Sequence, residues 1–206
     1  MYWAEFLTIA IAHLLAVASP GPDFVIVMRQ SVAGGTKLGL WTAFGVGSGI
    51  LVHVAYCILG VALLLSQSET LFNAMKYVAA AYLCYLGVQS LRAKKAPNDT
   101  EKDRGVVAMH PARAYWIGFL TNGLNPKATL FFLALFTVVI DINTPTNIQV
   151  IYGLYLATAT FAWFALLSLI LGRAKVREFL QRAGLWFERA MGFLLIFLAI
   201  QIVVFA

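Results

Sequence analysis

Residues 116–140 read WIGFLTNGLNPKATLFFLALFTVVI, an apolar run interrupted at Asn122-Gly123-Leu124-Asn125-Pro126-Lys127 by a proline, two amides and a lysine. A bilayer's hydrocarbon core is about 30 Å thick and takes roughly 20 apolar residues per helix, so the run is long enough to cross. At about 1.5 Å of rise per residue Lys127 lies about 16 Å inside it, near the centre and too deep for easy snorkelling. An ionisable residue at that depth is costly and points to function by default. Proline removes a backbone donor and disturbs the preceding turn, which predicts an unwound or kinked helix at Pro126. The first half of the chain carries a counterpart. Residues 6–28 form another apolar run, broken by Ser19-Pro20-Gly21-Pro22-Asp23. Its ionisable residue is acidic instead of basic.

Working outward, the rest of the chain is of the same kind. Of 206 residues, 61% are hydrophobic and only 12% charged, with a mean hydropathy of +0.83, whereas a soluble domain averages about 25% charged. A surface so poor in charge is solvated by lipid. A soluble enzyme, a disordered tail and a secreted disulfide scaffold are therefore excluded. Six runs of spanning length are readable, at about 6–28, 38–65, 71–91, 116–140, 148–171 and 190–205. Cys57 and Cys84 both lie inside these runs and read as small buried residues, neither a disulfide nor a zinc site. Of the 15 Lys and Arg, 13 fall in alternate loops: Arg29 and Lys37, the cluster from Arg92 to Arg113, and the cluster from Arg173 to Arg189. By the positive-inside rule those loops are cytosolic and both termini lie outside. The formal charge of +6 is thus a topology signal, and nucleic acid is not an expected partner. Ala16-Val17-Ala18 resembles a signal-peptidase site, but the chain opens Met-Tyr-Trp-Ala-Glu without a basic segment, so cleavage is not expected. Residues 173–189 place Val176, Phe179, Leu180, Ala183 and Phe187 at helical spacing. Two readings stay open there: an amphipathic helix on the inner interface, or a prolongation of the sixth span.

The longest polar stretch divides the spans into two sets of three, giving a first half at 1–92, a cytosolic linker at 93–115 and a second half at 116–206. With three spans per half, the second enters the membrane from the opposite side. The expected architecture is all-α, with six transmembrane helices as two inverted repeats, each opening with a broken helix. Irregular backbone inside a bilayer is tolerated where protein or a watery cavity satisfies it. Broken helices at corresponding places in inverted halves point to a midplane binding site. Asp23 and Lys127 are expected to neutralise each other across the breaks at Pro20, Gly21, Pro22 and Pro126.

Other features read as structural. Gly35, Gly39, Ala43 and Gly47 recur every four residues, as do Gly45 and Gly49, the spacing of a helix face that lets a neighbour approach closely. His53 and Cys57 share a face, but carboxylates are too few around them for a metal pathway. His13 is expected to be satisfied by a neighbouring helix. Tyr82, Tyr85, Tyr155 and Trp163 read as aromatic packing before cavity lining. No Ser-His-Asp, Cys-His or paired-carboxylate arrangement suggests an enzyme.

Three motifs together resemble the LysE/RhtB family of bacterial amino-acid exporters. They are Ser19-Pro20-Gly21-Pro22-Asp23, Ala81-Tyr82-Leu83-Cys84-Tyr85-Leu86-Gly87 with Leu91-Arg92, and Gly118 through Ala128. Within the family, Phe6-Leu7-Thr8 with His13, and Ala162-Trp163-Phe164, look more like the threonine and homoserine branch. Gly123 departs from the bulkier residues common at that place. The resemblance implies a multi-pass inner-membrane carrier that exports small amino acids by proton antiport, without cofactor or metal. Its partners are then a small amino-acid substrate, protons and the lipid bilayer, with a homodimer as a further candidate.

A zwitterion needs a cation for its carboxylate and an anion for its ammonium group. Half-helix N-termini with Lys127 suit the first, and backbone carbonyls with Asp23 suit the second. Asn122 and Asn125 complete the candidate substrate-binding set. Asp23 is also the candidate proton carrier, since burial favours a carboxyl's neutral form. A lysine or arginine substrate needs a further buried carboxylate. The remaining acidic residues, Glu188 among them, lie in loops or near span ends. Neutral substrates are therefore expected, with Thr121, Thr158, Thr160 and Ser48 available to a hydroxylated side chain. A divalent-cation exporter is the rival class, and a non-transporting membrane partner is the third.

Overall fold

A computed structural model describes residues 2–67, 69–93, 109–141, 143–171 and 174–205. The described residues are helical with no strand. In chain order they form α1 (Tyr2–Ala18), α2 (Pro22–Ala33), α3 (Gly35–Gln67), α4 (Glu69–Leu91), α5 (Pro111–Gly123), α6 (Pro126–Ala134), α7 (Thr146–Ile170) and α8 (Ala174–Phe205). The end of α6 widens into a π-helical turn at Leu135–Val139. Among the described residues three helices are long and apolar enough to cross a membrane unaided: Gly35–Gly60 within α3, α7, and Ala183–Val204 within α8. A fourth span arises if α1 and α2, bent by 55° about their break, are taken as one. Residues 94–108 of the expected linker lie outside the described residues, and α5 already starts at Pro111. Of the two readings of residues 173–189, the described part, from Ala174 on, continues into α8 without a break.

Small residues set the packing. α3 lies against α5 and α7, and α4 lies against α8. A methyl group at Gly45 would collide with the Tyr115 carbonyl oxygen, and one at Gly118 with the carbonyl of Thr42. α3 and α5 therefore touch backbone to backbone, which is why glycine recurs on that face. At the sharp turn from α2 into α3, Gly35 takes φ 75°, a conformation that glycine alone adopts at little cost.

Two apolar clusters lie within the bundle. One gathers Ile9, Val54, Leu83, Phe132, Leu156 and Leu195 from six helices. The other gathers Phe24, Val27, Val46, Phe164 and Leu167 from α2, α3 and α7. The outside is equally apolar: Leu59, Val78, Leu166 and Phe193 are all exposed. Both faces of a lipid-solvated helix are apolar, so lying within a span does not imply burial. Cys57 is buried as expected, whereas Cys84 is exposed.

Candidate functional site

The two proline breaks converge on one cavity. α1 ends where the Ser19 amide donates to the Leu15 carbonyl at 3.1 Å. Pro20 and Gly21 are non-helical, and Pro22 opens α2 at its first position, where its missing N–H costs nothing. Gly21, extended at φ −151°, caps α2 with no side-chain hydrogen bond to the helix amides. In the second half, α5 stops at Gly123 and α6 starts at Pro126. There the Asn125 side chain accepts from the Lys127 amide at 3.0 Å, a conventional N-cap. Asp23 and Lys127 therefore occupy the same place in two half-helices, one residue after the opening proline.

A cavity of about 60 Å³ lies between the breaks, and all four candidate binding residues line it: Asp23, Asn122, Asn125 and Lys127. The two charges attract each other as expected, while their hydrogen bonds go to separate partners. Asp23 Oδ2 accepts from Asn122 Nδ2 at 2.9 Å and from Asn125 Nδ2 at 3.3 Å. Lys127 Nζ donates to Ser19 Oγ at 2.8 Å, and a methyl on Gly21 would stand 4.0 Å from that nitrogen. The ammonium is thus beside the N-terminus of α2, whose dipole also favours an anion. Asp23 Oδ1 and Asn122 Oδ1 are buried without a hydrogen-bond partner. Of the two cavity-lining charges, Asp23 keeps an unused acceptor and Lys127 unused donors, which fits a ligand carrying both charges.

Several contributors escaped the sequence reading. Ser19 lay in the break motif, yet only the fold shows that its hydroxyl receives Lys127. His53 Nε2 lies 2.9 Å from the Asn122 carbonyl oxygen, and its ring stacks on Phe132 at 5.4 Å, holding the break in α5–α6 from the α3 side. Gly49 backs directly onto Asn122, where a methyl group would come within 2.8 Å of Oδ1. Glu188 needs a correction: it stands within the continuous α8 and interacts electrostatically with Lys127. It lies one turn before Met191, which lines the cavity, and one turn after Gly184, where a methyl group would stand 3.3 Å from Pro20. Helical spacing puts all three on one face.

Among the hydroxyls, Thr160 lines the cavity and meets His13 Nε2 at 2.8 Å. Thr158 and Ser48 instead bond back to carbonyls of their own helices. The spare aromatics pack on one another: Tyr155 on Phe6 at 4.8 Å and Tyr82 on Tyr85 at 5.8 Å. Gly123 has open space around it, so the departure at that position puts no demand on packing. Among the described residues no three His, Cys, Asp or Glu side chains converge as a metal site.

The LysE type translocator family model matches residues 14–205 of this chain. A threonine efflux protein of Escherichia coli K12 is 28% identical over 202 residues, which cover 97% of each chain. A leucine efflux protein of Klebsiella pneumoniae is 32% identical over 189 residues, 87% of each. An uncharacterised membrane protein of Bacillus subtilis is 33% identical over 174 residues, 81% of this chain and 82% of its own. No solved structure matches the chain significantly.

Proposed function

This chain belongs to the LysE type translocator family, and we propose that it exports small neutral amino acids of the threonine and homoserine type from a bacterial cell by proton antiport. The observation that carries the reading is the unused capacity of opposite charges at one cavity. Asp23 Oδ1 and Asn122 Oδ1 are buried acceptors without donors. The Lys127 ammonium has one hydroxyl partner and stands at an uncapped helix N-terminus. A zwitterionic amino acid supplies both missing counterparts, its ammonium group to Asp23 and its carboxylate to Lys127 and the α2 amides.

The charge balance favours a neutral side chain. Lys127 is engaged by Glu188 as well as Asp23, so the ligand's ammonium takes Asp23 and no carboxylate is left over for a lysine or arginine head. Similarity to a threonine and to a leucine efflux protein supports the same range. Asp23 also serves as the proton carrier: a proton there competes with the ligand ammonium for one carboxylate, the minimal requirement for exchange of one against the other.

The cavity volume of about 60 Å³ is below half the ~150 Å³ that holds a benzene ring, so the ligand enters as helices part. In this reading α1–α2, α3 and α4 form the first half and α5–α6, α7 and α8 the second, six spans in inverted halves with both termini outside. One half rocks against the other about the breaks.

The test is efflux from liposomes holding the purified chain and labelled threonine, homoserine, leucine, lysine or manganese, with and without a proton gradient. Gradient-driven release of the neutral amino acids is expected. Manganese release without amino-acid release overturns the reading in favour of a cation exporter.

A further inference from the structure

Hydroxyls on these helices mostly return to the backbone. Ser31, Thr42, Thr158 and Ser168 each donate to the carbonyl one turn back, at 2.7–2.9 Å, the usual resting arrangement for such groups. Thr160 does otherwise. It is buried in α7, lines the cavity, and its hydroxyl meets His13 of α1. A hydroxyl offers one donor and two acceptor sites. If the imidazole donates, the Thr160 O–H is left to give; if Thr160 donates, its oxygen is left to accept. Either tautomer of His13 leaves Thr160 one hydrogen bond to make.

The couple also stands apart from the charged groups. His13 lies six residues before Ser19, about 9 Å along α1, and neither member belongs to a break. Apolar side chains share the cavity, among them Ile50, Phe131, Phe164 and Met191. The cavity therefore has a charged end, suited to the groups every amino acid carries, and a second polar point among apolar walls.

We propose that Thr160, oriented by His13, reads a hydroxyl group on the ligand's side chain and so sets the preference for hydroxylated over purely apolar amino acids. This rests on the amino-acid export reading above. The preference is graded: with no hydroxyl from the ligand, Thr160 keeps its bond to His13, so an apolar side chain forfeits one hydrogen bond without leaving Thr160 partnerless. One neutral hydrogen bond then decides between the two classes, and the preference is roughly three- to tenfold.

The test compares threonine with valine, which differ by a hydroxyl against a methyl, in counterflow exchange by the full chain in liposomes. The wild-type chain is expected to favour threonine by roughly three- to tenfold. Thr160→Val should bring the ratio to about one, and Thr160→Ser should keep it; a role confined to helix packing would lower both fluxes together and leave the ratio unchanged. A Thr160→Val ratio equal to that of the wild type, or a wild type without preference, overturns the proposal while leaving export standing. Exchange of neither amino acid by the wild type overturns the export reading and this one with it. Where Thr160→Val does not accumulate, Thr160→Ala and His13→Leu give the same readout and the same two outcomes.

Discussion

Gly49→Ala perturbs the candidate site without altering any of its polar groups. The new methyl would stand 2.8 Å from Asn122 Oδ1, 3.0 Å from its Cβ and 3.1 Å from the Phe119 carbonyl oxygen, where ordinary contacts begin at 3.4 Å. Asn122 must retreat by about 0.6 Å, because the remaining neighbour is a backbone carbonyl held in its helix. A displacement of that size equals the slack between its 2.9 Å bond to Asp23 and the edge of hydrogen-bonding distance. A hydrogen bond to a charged group contributes about 1.5–3 kcal/mol. Losing about half of it corresponds to roughly a four- to thirteenfold rise in KM for the exported amino acid. Overpacking itself costs about 1–3 kcal/mol of stability, so transport must be compared with a control that suffers the same strain elsewhere. Gly47→Ala is that control: its methyl would stand 2.9 Å from Phe161 Cβ and 3.0 Å from the Ala157 carbonyl, on the α7 side. Transport in liposomes gives KM, and thermal unfolding in detergent gives Tm. Both variants should lose Tm, and Gly49→Ala alone should raise KM. Equal KM values in the two variants would refute the coupling of the glycine face to the site.

Asp23→Asn should abolish uphill, proton-driven export and leave amino-acid exchange only with a raised KM, because the ligand's ammonium loses its carboxylate, read as gradient-driven efflux against counterflow; full gradient-driven efflux would remove Asp23 as the proton carrier. Lys127→Gln leaves Asp23 and Glu188 without their shared cation, so it should lower Tm, and adding Glu188→Gln should recover part of the loss, with a coupling of about 0.5–1 kcal/mol given the partial exposure of Glu188. Strict additivity of the two changes would show that the charges do not interact. Reporter fusions after Ser66 and near Asp141 should report the outside of the cell and fusions after Lys95 and Lys175 the cytosol; a cytosolic C-terminus with an outside N-terminus would defeat the inverted-repeat arrangement.

The covalent character of the chain settled a good deal unaided. Proline cannot continue a helix wherever it stands, so Pro20, Pro22 and Pro126 announced the breaks without any tertiary information. Composition settled the solvent, because no arrangement of a chain with 12% charged residues covers its surface with polar groups. Partners and faces did not follow. In water an amphipathic stripe tells which side of a helix is inside, but in lipid both sides are apolar and the stripe is absent. Thr158 and Thr160 are two residues apart and so on opposite faces, and nothing in their neighbours' chemistry said which one meets His13. Cys57 and Cys84 were indistinguishable for the same reason. Glu188 looked peripheral because the apolar count began at residue 190, while the packing of α8 on the α1–α2 break, through Gly184 and Pro20, brought it to Lys127. Asp23 and Lys127 attract each other at any separation, so charge alone suggested a direct pair. Which group each one bonds was decided by where Ser19, Asn122 and Asn125 stand once the two breaks face each other, and that is fixed by the close approach of α3 and α5 at Gly45 and Gly118.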